Sequence, residues 1–148
     1  MEMQCVLFKL GNEFCGFDIL NVQEIVRSQE HTKIPNVPEF IEGVINLRGK
    51  VIPVLNLAKK FRTIPVEENE STRLIVLNLD DTQNQQIAIK VAEVTEVLTI
   101  PEEKVDQAPE FKGKDNTILQ GIAKLDDKLV MIINPAEIIA AEELPELT

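Results

Sequence analysis

Few side chains in this sequence could carry out chemistry, and their arrangement is not typical of an enzyme. The 148 residues include one histidine, two cysteines, no tyrosine and no tryptophan. His31 lies in the polar stretch SQEHTK, where we expect a solvated loop residue, and one histidine with two strand cysteines does not make a metal cluster. There is no G-x-S-x-G elbow, phosphate loop or dinucleotide fingerprint. A pair of carboxylates could still act as acid and base, so an enzyme is kept as an alternative, without any assigned catalytic residue, metal or cofactor.

Arg48 is the side chain whose position favours recognition. With Gly49 it forms the tip of GVINLRGKVIPVLNL, residues 43–57, the most hydrophobic hairpin pattern in the chain. A planar guanidinium offers several donors to a carboxylate or carbonyl group. Gly49 lets the turn adopt a positive φ and lets another backbone approach closely. A solvated turn arginine is the simpler interpretation, and Glu24, on another strand, is a candidate intramolecular partner.

An internal repeat indicates which features build the fold. The segments GVINLRGKVIPVLN and GIAKLDDKLVMIIN share four of their 14 positions, and five more exchange one aliphatic residue for another. Two further pairs of segments match in the same order. The matched segments are 22–26 with 94–98, 38–40 with 109–111, and 43–56 with 121–134. Because Asp126-Asp127 replaces Arg48-Gly49 in the second copy, the hairpin does not need the arginine to fold.

The elements that position these residues are mostly strands. Valine and isoleucine enrichment, with Gly, Asn and Asp at the turns, predicts a mainly β fold of short strands, which favours small barrels. The predicted strands are 4–10, 14–20, 44–47, 51–55, 73–79, 86–91, 94–99, 121–125 and 128–133. Pro53 lacks an N–H, so its strand should be an edge or bulged there. We expect approximate sequence halves 1–68 and 69–148.

Two short helices are predicted from capping patterns. Asn134, followed by Pro135 and by Glu137 at the third position, predicts a C-terminal helix through about Glu143. The cap-like Asn56 predicts one helical turn directly after it.

Composition disfavours several classes of function. The formal net charge of −10 opposes binding to nucleic acids and to anionic membrane surfaces. No apolar run reaches the roughly 18 residues needed to span a bilayer, and the N-terminus does not resemble a signal peptide, so we expect a cytoplasmic protein. Cys5 and Cys15 flank a hairpin turn, and in that compartment we expect small strand hydrophobes rather than a disulfide.

The sequence resembles the CheW family, the coupling proteins of bacterial chemotaxis. The hairpin GVINLRGKVIPVLNL is similar to the family's signature hairpin, and four other stretches are similar as well. These are FDILNVQEIV, IPNVPEFIEG, the PEF at 109–111 and the QG-x-x-x-L-D-D hairpin at 120–127. The resemblance covers essentially the whole chain, 1–148, as one domain without a further domain. It implies two five-stranded β-barrel subdomains around a shared hydrophobic core, with strands that can be exchanged between them.

The resemblance also implies a function and its surfaces. Proteins of this family are non-catalytic adaptors that hold the regulatory domain of the histidine kinase CheA and the cytoplasmic tip of a chemoreceptor, and so place the kinase under receptor control. Expected at the receptor are Glu24, Arg48, Gly49 and Val97; expected at the kinase are Val6, Ile19, Val22 and Gly43. We expect recruitment to membrane-associated receptor arrays without membrane insertion, and no small-molecule ligand.

Some alternatives stay open at this point. Ile19, Val22 and Val97 lie near strand ends and are either core residues or parts of an exposed apolar patch. A nucleic-acid-binding barrel is a further functional alternative, which a basic groove with aromatic residues would favour. The sequence offers six phenylalanines and an acidic balance instead.

Overall fold

The computed structural model describes residues 1–61, 66, 68–79, 85–107 and 118–138. Within this part of the chain the fold is mainly β, as predicted, with eleven strands and few helical residues. The strands are β1 Glu2–Leu10, β2 Glu13–Asp18, β3 Val22–Arg27, β4 Ile41–Leu47, β5 Lys50–Asn56, β6 Arg73–Asn78, β7 Gln86–Val91, β8 Val94–Pro101, β9 Val105–Asp106, β10 Leu119–Lys124 and β11 Leu129–Ile133. All nine predicted strands are present, eight of them with shifted ends, whereas β3 and β9 are not among those predicted.

The strands form two sheets with the same internal order. The six-stranded sheet runs β8-β1-β2-β11-β10-β9, and the five-stranded sheet runs β3-β6-β7-β5-β4. Neighbouring strands are antiparallel except for one parallel pair in each sheet, β2 with β11 and β5 with β7. Each sheet therefore combines strands from early and late parts of the chain: β1 and β2 join β8 to β11, and β6 and β7 join β3 to β5.

Three apolar clusters hold the sheets together. Because successive side chains of a strand point to opposite faces, β1 and β6 each contribute to two clusters. One cluster covers one face of the five-stranded sheet: Ile45, Ile52, Val54, Leu74, Val76 and Ala88. A second covers one face of the six-stranded sheet: Cys5, Leu7, Ile100, Ala123, Val130 and Ile132. The largest draws residues from both sheets, among them Val6, Phe8, Phe17, Leu55, Ile75, Leu77, Ile87 and Ile89, so it is a core shared between the sheets.

Pro53 occupies a strand inside the sheet, but at a point where only one neighbour pairs with it. It lies opposite Val44 of β4 without a break in register. The parallel ladder to β7 begins only at Val54. The missing N–H of Pro53 is therefore tolerated because β5 is a local edge on its β7 side at this residue.

The predicted caps are found at both places. The Asn56 side chain accepts a hydrogen bond from the Lys59 N–H at 3.3 Å and begins α1, Leu57–Lys60. The Asn134 side chain accepts one from the Ala136 N–H at 3.2 Å and begins a 3₁₀ turn over Pro135–Glu137. The predicted C-terminal helix beyond residue 138 lies outside the described residues. None of the helices described is long and apolar enough to cross a membrane.

Both cysteines are buried and unpaired, as predicted. They do not face each other across the hairpin, because Cys5 lies opposite Asp18 and Cys15 lies opposite Phe8. Burial raises the pKa of the Cys5 thiol to about 11 and that of Cys15 to about 12, with the nearby acids Asp18 and Glu13 adding to the effect. Both thiols are therefore protonated and unreactive at neutral pH.

Candidate docking site

The hairpin tip at Arg48-Gly49 is a tight two-residue turn. Arg48 has φ 52° and Gly49 has φ 85°, and two positive φ values are the signature of a type I′ turn, whose twist matches the flanking strands. The Asn46 side chain accepts a hydrogen bond from the Gly49 N–H at 2.9 Å. A Cβ added at Gly49 would meet no atom within 4 Å, so glycine serves the backbone conformation here and the space beside the turn is open.

Arg48 is presented to solvent and oriented by Glu24. Its Nη1 donates to Oε1 of Glu24, and the arginine side chain is 71% exposed while that of Glu24 is 21% exposed. The hydrogen bond from Arg48 and its positive charge hold the pKa of Glu24 below its ordinary value, against a smaller opposing effect of burial. Glu24 lies on β3 at one edge of the five-stranded sheet, and Arg48 follows β4 at the other edge. The pair therefore brings the two edges together.

Val97 is exposed but belongs to the other sheet. It lies on the edge strand β8, opposite Val6 of β1 in register, and is 51% exposed. The structure thus brings Glu24, Arg48 and Gly49 together in one place, and for Val97 it selects the exposed alternative over the core alternative.

Further exposed apolar residues were missed by the sequence reasoning. Ile25, Val51 and Leu129 are exposed by 38%, 53% and 60%. In the repeat, Ile25 corresponds to Val97 and Val51 corresponds to Leu129. An apolar residue at the same outward position of both copies is a signal that the repeat already contained.

The four residues expected at the kinase differ sharply in accessibility. Ile19 and Val22 are partly buried and pack against the shared core, while Val6 is 1% exposed within it. Gly43 is buried with φ 150°, and a Cβ there would lie 2.3 Å from the carbonyl oxygen of Thr32. Val6 and Gly43 consequently offer no side-chain surface to a partner. They can affect binding only through the positions of neighbouring residues.

His31 is not the solvated loop residue that its polar neighbourhood suggested. Its side chain is 22% exposed, and its Nε2 lies 4.0 Å from Oε2 of Glu42. Glu42 also accepts a hydrogen bond from Nδ2 of Asn56 at 2.9 Å and lies 3.4 Å from Nζ of Lys59. This cluster of paired groups joins the segment after β3 to β4, β5 and α1. Among the described residues no group of acids, histidines or cysteines could hold a metal ion.

These features define a class of protein. The domain consists of two β-sheets that share a core, and its distinctive exposed groups are an oriented arginine on a rigid hairpin and outward-facing aliphatic residues. Such exposed groups are typical of protein-interaction modules, the class of protein that these features indicate.

Comparisons with known proteins name the family. The model of the CheW-like domain matches residues 4–143. Chemotaxis protein CheW of Klebsiella aerogenes is 37% identical over 140 residues, which are 94% of this chain and 82% of that protein. Chemotaxis protein CheW of Helicobacter pylori is 35% identical over 138 residues, which are 93% of this chain and 81% of that protein. The crystal structure of scaffolding protein TtCheW from Thermoanaerobacter tengcongensis superimposes with a TM-score of 0.80 at 40% identity, over 90% of this chain and 84% of that one.

The chain belongs to the CheW family. This confirms the resemblance noted in the sequence. CheW proteins are non-catalytic scaffolds, which removes the enzyme alternative, and the names of the relatives support a scaffold role in chemotaxis for this chain.

Proposed function

We propose that this protein is an adaptor that couples the histidine kinase CheA to the cytoplasmic tips of chemoreceptors. The observation that carries the proposal is the oriented, exposed guanidinium of Arg48 on a hairpin whose counterpart in the repeat has aspartates instead. Binding both partners raises the effective concentration of the kinase at the receptor without any new chemistry. The protein works in the cytoplasm, is recruited to receptor arrays, and needs no cofactor or small-molecule ligand for this role.

The receptor contacts Glu24, Arg48, Gly49 and Val97 in this proposal. Glu24 holds the guanidinium in place, and the remaining donors of Arg48 are directed at acceptors on the partner. The open space beside Gly49 lets a helix backbone approach the turn. Val97 supplies an apolar contact that does not require desolvation of a charge.

The kinase contacts the surface around Ile19 and Val22. Both side chains are partly exposed above the shared core, so the surface is apolar and firmly supported. Val6 belongs to the core against which both side chains pack, and Gly43 leaves room for the segment around Thr32 to pair with β4. Variants of these two buried residues act on kinase binding through the position of their neighbours.

We further propose that each sheet closes into a small barrel and that the two arose by duplication. Corresponding backbone contacts support this. The Asn56 N–H donates to the Phe40 carbonyl at 2.8 Å, and the Asn134 N–H donates to the Ile118 carbonyl at 2.8 Å. Thr32 pairs with Val44 beside Gly43, as Asp106 pairs with Ile122 beside Gly121. The two halves exchange hairpins, since β1–β2 completes the later sheet and β6–β7 the earlier one.

A binding experiment with matched arginine variants tests the adaptor function. Purified wild type, Arg48→Ala and Arg27→Ala are titrated against the CheA regulatory domain and, separately, against a receptor cytoplasmic fragment. Arg27 lies exposed on β3, so its variant removes the same charge away from the turn. We expect Arg48→Ala to lose receptor affinity and keep kinase affinity, and Arg27→Ala to keep both.

Two results would contradict the proposal. Well-folded wild type that binds neither partner would refute the adaptor function. Equal loss of receptor affinity in both arginine variants would mean that net charge, rather than the presented guanidinium, determines binding.

A further inference from the structure

The six-stranded sheet has an ion pair whose acid corresponds in the repeat to Glu24 of the Glu24–Arg48 pair. Nζ of Lys128 lies 2.9 Å from Oε1 of Glu96. In the repeat Glu96 corresponds to Glu24, whereas Lys128 corresponds to Lys50 and lies at the end of the β10–β11 turn, two residues after the counterpart of Arg48. Both acids directly follow a register shift on an edge strand, at Val22/Glu24 on β3 and opposite Leu7/Phe8 on β8. In each sheet, an edge strand is thus tied to the tip of the hairpin on the far side.

In the second ion pair the basic side chain, rather than the acidic one, is the more buried member. Arg48 is 71% exposed and its acid is largely covered, whereas the Lys128 side chain is 18% exposed and that of Glu96 is 42% exposed. Nζ of Lys128 also lies 4.5 Å from the centre of the Phe14 ring of β2, at the distance of a cation–π contact. Lys128 therefore contacts β8 through Glu96 and β2 through Phe14, while its own backbone belongs to the β10–β11 hairpin. Its position suits it to hold these elements together rather than to bind a partner.

The strand that Lys128 holds bears an exposed apolar residue. Glu96 is followed directly by Val97 on β8, and among the strands that the structure describes β8 pairs with only one neighbour, β1. An edge strand with a single paired side opens more readily than a central one. The ion pair at Glu96 therefore restrains the position of the adjacent residue, Val97.

We infer that Lys128 is a positioning residue that fastens the edge strand β8 through Glu96 and thereby sets the position of Val97 for receptor binding. The receptor part of this inference rests on the proposed function, while the fastening of β8 does not. Arg48 and Lys128 then have different roles on corresponding hairpins. The arginine is oriented for an external partner, and the lysine makes its contacts within the protein.

The test separates charge, packing and position. Lys128→Met keeps an unbranched stem over Phe14 and removes the charge, and Lys128→Arg keeps the charge. Lys124→Met is the matched control, because Lys124 forms an exposed ion pair with Asp106 at 2.9 Å on the β9 side of the same sheet. Hydrogen exchange of the β8 amides is measured in each variant, together with affinity for the receptor fragment and for the CheA regulatory domain.

We expect faster exchange along β8 in Lys128→Met but not in Lys128→Arg or Lys124→Met, with the rest of the sheet unchanged. Exchange and receptor affinity should each change by about two- to five-fold, the range for a single partly exposed ion pair. Kinase affinity should stay constant. In a double-mutant cycle, Val97→Ala should cost less receptor affinity in the Lys128→Met background than in wild type, since the valine is already displaced.

Unchanged β8 exchange in Lys128→Met would overturn the inference. So would faster exchange with full receptor affinity, or additive effects of Lys128→Met and Val97→Ala. If wild type binds no receptor fragment, the proposed function fails, and the exchange measurements still decide whether Lys128 fastens β8.

Discussion

Replacing Gly43 with alanine should destabilise the protein strongly, for a reason that involves the neighbouring backbone rather than any partner. A Cβ at this position would lie 2.3 Å from the Thr32 carbonyl oxygen and 3.0 Å from Cδ2 of His31. Thr32 and Val44 exchange two backbone hydrogen bonds, each of 2.8 Å. Because a carbonyl group cannot yield as a flexible side chain can, the segment containing Thr32 must move and both bonds are lost.

The expected magnitude follows from two contributions. Each lost hydrogen bond costs about 0.5–1.5 kcal/mol, and an L-residue forced to the φ of 150° at Gly43 adds backbone strain of about 1–3 kcal/mol. We therefore expect Gly43→Ala to lower the free energy of unfolding by about 2–6 kcal/mol. For a chain of this size that corresponds to a fall in the melting temperature on the order of 10 °C.

Gly49→Ala is the matched control for the strain contribution. Gly49 also has a positive φ, 85°, but nothing lies within 4 Å of the added Cβ. Its variant should lose only about 1–2 kcal/mol. Thermal and denaturant unfolding of both variants provides the measurement, with kinase affinity as a second readout. Equal unfolding midpoints for Gly43→Ala and Gly49→Ala would refute the close-approach argument, because only Gly43 has a neighbour to displace.

Three further outcomes are expected. Val22→Ser should cost about 1–2 kcal/mol in denaturant unfolding because Val22 packs against the shared core, whereas Val97→Ser should leave stability nearly unchanged; a larger loss at Val97 would contradict its exposed position. Burial acts to raise the pKa of Glu42, but the Asn56 hydrogen bond and the charges of Lys59 and Lys90 outweigh it and leave that pKa below its ordinary 4.5. The folded state therefore binds fewer protons than the unfolded state. The contribution of Glu42 to stability is present above about pH 4.5 and is lost as the pH falls through the lowered pKa. Glu42→Gln should accordingly flatten the dependence of the unfolding free energy on pH below 4.5. An unchanged slope would refute a lowered pKa of Glu42 in the folded state. Cys5 and Cys15 should resist thiol reagents in the folded protein at pH 8 and react after unfolding, and rapid reaction of the native protein would show that these strands open.

Local patterns in the sequence were sufficient for the strands, the caps and the hairpin tip. Alternation of aliphatic residues depends on neighbours in the chain, as do the caps at Asn56 and Asn134 and the glycine at the second position of the β4–β5 turn. The candidate partnership of Arg48 with Glu24 was also visible, because Glu24 lies in a segment that the repeat marks and Arg48 lies at the turn of the marked hairpin. β3 and β9 escaped prediction because β3 alternates with charged residues and β9 has only two residues, and both owe their strand conformation to the partner strand.

The tertiary structure decided which residues are accessible and which strands pair. Nothing local makes β1 and β2 join the late strands β8 and β11, because that pairing depends on how the two sheets share a core. Lys128 is partly buried because Phe14 and Glu96, which lie elsewhere in the same sheet, contact its side chain. Val6 and Val97 make the point most directly: they are identical residues paired in register, yet one is 1% and the other 51% exposed. The difference arises because β1 is a central strand covered by the second sheet and β8 is an edge, and a strand's burial on its two faces is a property of the packed molecule rather than of its own sequence.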